Sequence, residues 1–123
     1  MYREKVGLFL DSIADSGDEQ YADAMKDLIE SAAEYIKKVA VHESEKSVAR
    51  LSMEGDKYGE YIQQLDGNRR TAHNKLISDV RVVNRLCKLY GISLMFEGDE
   101  NNRIEIADFA QQIINEYFNT RKR

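Results

Sequence analysis

The sequence predicts an all-α protein, an antiparallel bundle of four to five helices in a single domain spanning residues 1–123. Proline, which is common where a chain has many turns or sheet edges, does not occur at all. Apolar residues recur at helical spacing along most of the chain. An apolar content of 42% and a charged content of 33% are typical of a folded, globular chain.

Apolar stripes and the turn between them define the first two predicted helices. Helix 1 is expected over residues 2–15, with Gly17 in a left-handed cap after its end. Ser16 and Glu19 match a capping box, which would open helix 2. The predicted core faces consist of Tyr2, Val6, Phe9, Leu10 and Ile13 in helix 1, and of Tyr21, Met25, Leu28, Ile29, Ala32, Ile36 and Val39 in helix 2.

Residues 18–54 contain neither glycine nor proline. One helix of that length would reach about 55 Å, which is too long for a compact domain of this size. We therefore expect a break near residues 41–44, with Ser44 as the cap of helix 3, and a second turn at residues 65–68. The apolar face of helix 3 would carry Val48, Leu51, Tyr58, Ile62 and Leu65, with Ser52, Gly55 and Gly59 beside them. The glycines indicate either the close approach of a neighbouring helix or a kink or break in the helix.

Helix 4 is predicted to run from residue 68 to Tyr90, where Gly91 closes it. Residues 92–96 are apolar and are expected to form a buried connector or an isolated strand. A polar turn at residues 98–102 would cap helix 5, and a basic C-terminus (Arg121, Lys122, Arg123) would complement its dipole. The predicted core face of helix 5 is Ile106, Phe109, Ala110, Ile113 and Tyr117.

Cysteine usage and hydropathy indicate a cytoplasmic location. Cys87 is the only cysteine, which excludes an intramolecular disulfide and a cysteine-rich metal site and fits a reducing compartment. No stretch approaches the roughly 20 apolar residues of a membrane span, and the N-terminus lacks the apolar run of a signal peptide. No association with a membrane is therefore expected.

Charge is distributed unevenly along the chain. Residues 66–91 carry six Lys or Arg against two Asp, whereas the whole chain has a net charge of −4. On a helical wheel, helix 4 has a seam formed by His73, Ile77, Val80, Asn84 and Cys87, and beside it a basic stripe formed by Arg70, Asn74, Arg81, Arg85 and Lys88. The candidate binding residues are Arg69, Arg70, His73, Asn74, Arg81, Asn84, Arg85 and Lys88.

Two interpretations stay open for the polar residues of the seam. His73 and Asn84 are either hydrogen-bonded core residues, with Tyr58 or Tyr61 as partners, or part of a pocket in which His73 acts as acid, base or ligand. We favour the first, because no second catalytic group occurs at helical spacing from His73.

The basic stripe also has two interpretations. It is either paired with acidic residues of helix 2 (Asp23, Asp27, Glu30 and Glu34) or exposed to an anionic partner. Nucleic acid is not favoured as that partner, because the pI is about 5.2 and the stripe contains no aromatic residue that would stack on bases.

Metal, cofactor and enzyme motifs are not found. Neither His42 nor His73 follows a glutamate by three residues, as a carboxylate-bridged diiron bundle requires. Asp99 and Asn101 resemble the start of a calcium loop, but the glycine position of that loop is Ile104. Cys87 lies about 21 Å from His73 along the helix, too far for a nucleophile and its base. We therefore predict no cofactor and no metal, and an enzyme is not favoured.

The segment Asp66-x-x-Arg69-Arg70-x-x-His73-Asn74, followed by Val83-Asn84-Arg85-Leu86, resembles a motif of small, uncharacterised helical proteins of Gram-positive bacteria and their mobile elements. That resemblance covers residues 65–91 and implies a helical domain of unknown function. Our leading hypothesis is a non-enzymatic interaction or regulatory module that binds a protein or self-associates. The alternatives are a nucleic-acid-binding regulator that uses the basic stripe and, third, a hydrolase centred on His73.

Overall fold

Four α-helices make up most of residues 2–121, the part of the chain that the computed structural model describes. They are α1 (Tyr2–Ser16), α2 (Ala24–Ser52), α3 (Gly55–Leu89) and α4 (Arg103–Arg121), with a 3-10 turn at Glu19–Tyr21. The all-α prediction is therefore confirmed. The predicted role of the basic C-terminus involves Lys122 and Arg123, which lie outside the described residues.

Several helix ends agree with the sequence. Gly17 and Gly91 have φ angles of 63° and 71°, so both adopt the left-handed conformation that glycine takes at helix C-termini. The predicted capping box does not form. Ser16 instead ends α1, where its hydroxyl donates to the carbonyl of Ile13, and α2 begins only at Ala24.

Both predicted breaks in the middle of the chain are wrong. Helix α2 continues through residues 41–44, and α3 continues through residues 65–68. The break lies at Met53 and Glu54, whose extended backbone separates the two helices. Gly55 follows with a φ of 49°, so this glycine marks the break between the two helices. Gly59 lies inside α3.

The core contains residues from all four helices. The most buried side chains of the predicted core faces are Val6 and Phe9 of α1, Met25, Leu28 and Ala32 of α2, and Ile106, Phe109, Ala110 and Ile113 of α4. Helix α3 contributes Ala72, Leu76, Ile77, Val80, Val83, Leu86 and Cys87. Residues 92–96 are an irregular connector rather than a strand, and Met95 and Phe96 insert from it into the core.

Helices α2 and α3 form an antiparallel hairpin. Three hydrogen-bonded side-chain pairs show this direction: Ser31 with Asp79, His42 with Asp66, and Glu45 with Tyr61. As the residue number rises along α2, the number of its partner in α3 falls. Helix α2 is about 43 Å long and α3 about 52 Å. Both continue beyond the core, since no residue from 40 to 71 belongs to the core cluster. We call residues 41–66 of this hairpin the arm.

Candidate functional site

The predicted basic stripe is exposed, and one of its members is neutralised. The Arg81 guanidinium forms two hydrogen bonds with Glu100 Oε2, from Nη2 at 2.8 Å and from Nε at 3.2 Å. This pair raises the pKa of Arg81. The pairing with acidic residues of α2 that the sequence suggested is thus wrong for Arg81, because its partner lies in the loop before α4. Within residues 2–121 the exposed Arg85 and Lys88 have no ion-pair partner.

His73 is held by the same loop. Its Nε2 lies 2.8 Å from the carbonyl oxygen of Glu100, which accepts a hydrogen bond, so this nitrogen carries the proton. The imidazole also contacts the Tyr35 ring edge to face, with the ring centroids 5.5 Å apart. Neither Tyr58 nor Tyr61 is its partner, since Tyr61 donates to Glu45 instead.

Asn84 binds the backbone of the connector. Its Oδ1 accepts hydrogen bonds from the amides of Met95 and Phe96, at 2.9 and 3.2 Å, and its Nδ2 donates to the carbonyl of Phe96 at 2.9 Å. All three bonds join one half-buried side chain to a segment that carries two core residues. For Asn84, these contacts favour the hydrogen-bonded interpretation.

Arg69, Arg70 and Asn74 line a cleft between α2, α3 and the start of α4. A polar cavity of about 310 Å³ is bordered by six side chains, those of Arg69, Arg70, His73, Asn74, Asn101 and Arg103. Four of these were predicted from the sequence. Asn101 and Arg103 were not, because they lie about thirty residues further along the chain and only the fold brings them together with α3.

A second cavity of about 510 Å³ adjoins the first and shares Arg69 and Arg103 with it. Its other lining residues are largely apolar: Tyr35 and Val39 from α2, and Ile104 and Ala107 from α4, with Glu43 and Asn102 completing the set. Asn102 caps α4, because its Oδ1 accepts hydrogen bonds from the amides of Ile104 and Glu105. The two cavities together form one cleft with a cationic half and an apolar half.

Tyr35 borders the apolar half, and its ring contacts His73, which borders the polar half. The whole residue is 0% exposed, and its hydroxyl has no hydrogen-bond partner among the described residues. Burial raises the pKa of this phenol, and the nearby guanidiniums of Arg69 and Arg103 oppose that rise. The hydroxyl is therefore a buried donor within the field of two cations.

The arm has a fixed inner side. His42 is buried and its Nε2 lies 2.5 Å from Asp66 Oδ1, while Tyr61 donates to Glu45 at 2.8 Å. Ala49 of α2 and Leu65 of α3 are buried between the helices. Two polar contacts and a small apolar contact thus hold the two helices of the arm together.

One flank of α2 in the arm, beside the groove between α2 and α3, is largely apolar and exposed. Val48 is 57% exposed and Leu51 is 90% exposed, which contradicts the expectation that they belong to a core face. Val41 is also exposed, and the set Val41, Ser44, Val48 and Leu51 follows a 3-4 spacing along α2. We call these four residues the outer stripe. Such spacing is typical of a seam that packs against another helix.

Chemistry based on metals or on the thiol receives no support from the described residues. No three His, Cys, Asp or Glu side chains within residues 2–121 converge on a point that could hold a metal ion. The Cys87 thiol is buried, and burial raises its pKa, which disfavours the reactive thiolate. None of the helices in this part of the chain combines the length and hydropathy that crossing a bilayer requires.

The fold and these surfaces define an all-α helical bundle with a projecting helical hairpin and a cationic cleft. The chain belongs to the family described as "Protein of unknown function (DUF3232)", whose family model matches residues 8–123. The predicted membership of a helical domain of unknown function is thereby confirmed. No curated protein and no solved structure is significantly similar to the chain.

Proposed function

We propose that this protein is a cytoplasmic bacterial interaction module that self-associates through the outer stripe of its arm. The observation that carries this proposal is the exposure of Leu51, which is 90% accessible within an apolar stripe at helical spacing. A single exposed leucine is ordinary, but a stripe of this spacing on a projecting hairpin matches helix-in-groove and helix-on-helix recognition. The bacterial and cytoplasmic parts of the proposal rest on the sequence resemblance and on the single buried thiol.

A second copy of the chain is the partner that fits the stripe. Antiparallel pairing of two α2 helices about a twofold axis near residue 46 sets Val41 of one copy against Leu51 of the other, and Ser44 against Val48. Both serines of this stretch, Ser44 and Ser47, are small, so the helices can approach closely. Such an interface is isologous, and it therefore closes at the dimer.

The inner contacts of the arm support the same interpretation. The His42–Asp66 and Tyr61–Glu45 contacts fix α2 against α3, so the outer stripe is presented on a preformed surface. A preformed surface loses less conformational entropy on binding than a flexible one. The arm would therefore dimerise without a disorder-to-order transition.

The test is the molar mass of the Leu51→Lys variant, measured by size-exclusion chromatography with light scattering over a range of protein concentrations. Leu89→Lys is a matched control, because Leu89 is also an exposed leucine (71%) in the last turn of its helix but lies outside the arm. We expect the parent protein and Leu89→Lys to dimerise and Leu51→Lys to remain monomeric. A parent protein that is monomeric at every concentration, or a Leu51→Lys variant that still dimerises, would contradict the proposal.

The two alternative functions have weaker support. For a nucleic-acid-binding regulator, Arg85 and Lys88 are free to contact phosphates, but Arg81 between them and Arg70 is already bound to Glu100. For a hydrolase, one ring nitrogen of His73 is bound to a backbone carbonyl, and within the described residues no carboxylate lies within 4.0 Å of the ring nitrogens.

A further inference from the structure

The cleft between α2, α3 and α4 contains a polar group that does not stabilise the fold. A buried hydroxyl without a hydrogen-bond partner destabilises a fold, because it loses its hydrogen bonds to water and gains none. Tyr35 is such a group, since it is fully buried and no described residue accepts its hydrogen bond. A phenylalanine would fill the same space without that cost, so the hydroxyl needs a role other than packing.

The charges around this hydroxyl favour an anion. Arg69, Arg70 and Arg103 border the cleft, and the positive end of the α4 dipole lies at Arg103. Among the described residues that line either cavity, Glu43 is the one carboxylate, and its side chain is exposed at the rim. Arg69 also lies 3.8 Å from Asp66, a distance that leaves its guanidinium free for a closer partner.

The apolar half of the cleft indicates that the ligand also carries an apolar group. Val39, Ile104 and Ala107 border the larger cavity together with the Tyr35 ring, and the Ile104 side chain is exposed to solvent there. A cavity of about 510 Å³ is within the range of small-molecule sites. An inorganic ion alone would leave this half unfilled.

We infer that the cleft binds a small organic phosphate, a phosphate monoester with an apolar or aromatic body. The phosphate oxygens bind Arg69, Arg70 and Arg103 in the polar half, and one of them accepts the hydrogen bond of the Tyr35 hydroxyl. The apolar body lies against Val39, Ile104 and Ala107. Because the Tyr35 hydroxyl is buried, this contact requires a rotamer change in Arg69 or Arg103, the two long side chains that border both cavities.

Three guanidiniums suit a dianionic phosphate better than a carboxylate. Arginine binds phosphate oxygens through parallel N–H groups, and several arginines can share the three oxygens of one monoester. Asn74 and Asn101, which also border the polar half, supply neutral donors for a remaining oxygen. The inference does not depend on self-association, because none of these residues belongs to the outer stripe.

Isothermal titration calorimetry with phenyl phosphate as the probe tests the inference, with inorganic phosphate and benzoate as comparison ligands. We expect phenyl phosphate to bind more tightly than either, because only it fills both halves. Equal affinity for inorganic phosphate would overturn the apolar half of the assignment. Benzoate that binds as tightly as phenyl phosphate would overturn the phosphate assignment, and no heat with phenyl phosphate at millimolar concentrations would overturn the site.

Variants separate binding from folding. Tyr35→Phe should melt at the parent temperature or above it, because an unsatisfied buried hydroxyl is removed, yet it should bind phenyl phosphate about fivefold more weakly. Arg103→Gln should weaken binding about tenfold, whereas Arg85→Gln, an exposed arginine outside the cleft, should leave it unchanged. Unchanged affinity in both Tyr35→Phe and Arg103→Gln would contradict the inference. Repeating the titration with Leu51→Lys separates its outcome from that of self-association.

Discussion

His42 and Asp66 join the two helices of the arm at its base. The Nε2 atom of His42 lies 2.5 Å from Asp66 Oδ1, and His42 is only 5% exposed. The remaining ring nitrogen, Nδ1, is 3.9 Å from Glu43 and makes no hydrogen bond within the described residues. A buried imidazole that is bound to a carboxylate on the facing helix sets the register of the hairpin on which the outer stripe is carried.

This contact predicts a loss of stability in acid. The hydrogen bond from His42 is the largest cause that lowers the pKa of Asp66 below its ordinary value of 3.8. Because the folded pKa is lower than the unfolded one, the unfolded chain takes up the proton more readily. The stabilising contribution is therefore complete above about pH 4 and is lost as the pH falls through the folded pKa.

Urea unfolding between pH 5 and pH 2.5 checks this prediction. Asp66→Asn should be less stable than the parent protein at pH 5 and should show a flatter decline below pH 4. Glu60→Gln is the control, because Glu60 is an exposed carboxylate of the same arm, beyond the first turn of α3, without an ion-pair partner within residues 2–121. The prediction is wrong if Asp66→Asn declines as steeply in acid as the parent protein.

Asn84 should be one of the most sensitive polar positions of the chain. Asn84→Ala removes three hydrogen bonds and leaves the amides of Met95 and Phe96 and the carbonyl of Phe96 without their partner. We expect the free energy of unfolding to fall by about 2–4 kcal/mol. Asn74→Ala, at an exposed position of the same helix, should change it by no more than about 0.5 kcal/mol. Equal effects of the two substitutions, measured by chemical denaturation, would refute this role of Asn84.

Two glycines of the arm should respond to alanine with opposite signs. Gly55 has a φ of 49°, which an alanine adopts at a cost of about 1–2 kcal/mol, so Gly55→Ala should destabilise the protein. Gly59 lies inside α3 without a positive φ and has open space around it, so Gly59→Ala should stabilise by about 0.5–1 kcal/mol. Thermal unfolding of both variants checks the signs, and a stabilising Gly55→Ala would contradict the position of the break.

Helix ends that depend on local chemistry were predictable from the sequence. Gly17 and Gly91 adopt the left-handed conformation expected of them, and α4 begins directly after the predicted polar turn. The core faces of α1 and α4 were also predictable, because their apolar spacing agrees with their burial. In these segments local preference and tertiary packing favour the same structure.

The two predicted breaks in the middle of the chain would be needed only if every helix stayed beside the core. Helix α2 projects beyond the core instead, so it needs no break at residues 41–44. The turn signal at residues 65–68 is overridden because Leu65 is buried against α2 and Asp66 binds His42. Neither contact is visible in the sequence, since each joins residues more than fifteen positions apart.

Only the part of the cleft that lies on α3 was predictable from the sequence. Charge and helical spacing singled out Arg69, Arg70, His73 and Asn74 on α3, but nothing local links them to Tyr35 or Arg103. Likewise, pairing with helix 2 was one of two predicted alternatives for Arg81, but its partner Glu100 lies in the loop before α4. Contacts between distant parts of the chain require the fold.

The most direct test of self-association through the outer stripe is sedimentation velocity on Ser44→Glu, Val48→Lys and an equal mixture of the two. In the antiparallel dimer, position 44 of one copy faces position 48 of the other, so each variant alone places two unpaired charges in the interface and should remain monomeric where the parent protein dimerises. In the mixture, the glutamate introduced at position 44 of one copy faces the lysine introduced at position 48 of the other, so dimers should reappear. A mixture that stays monomeric, or single variants that dimerise as strongly as the parent protein, would contradict the account.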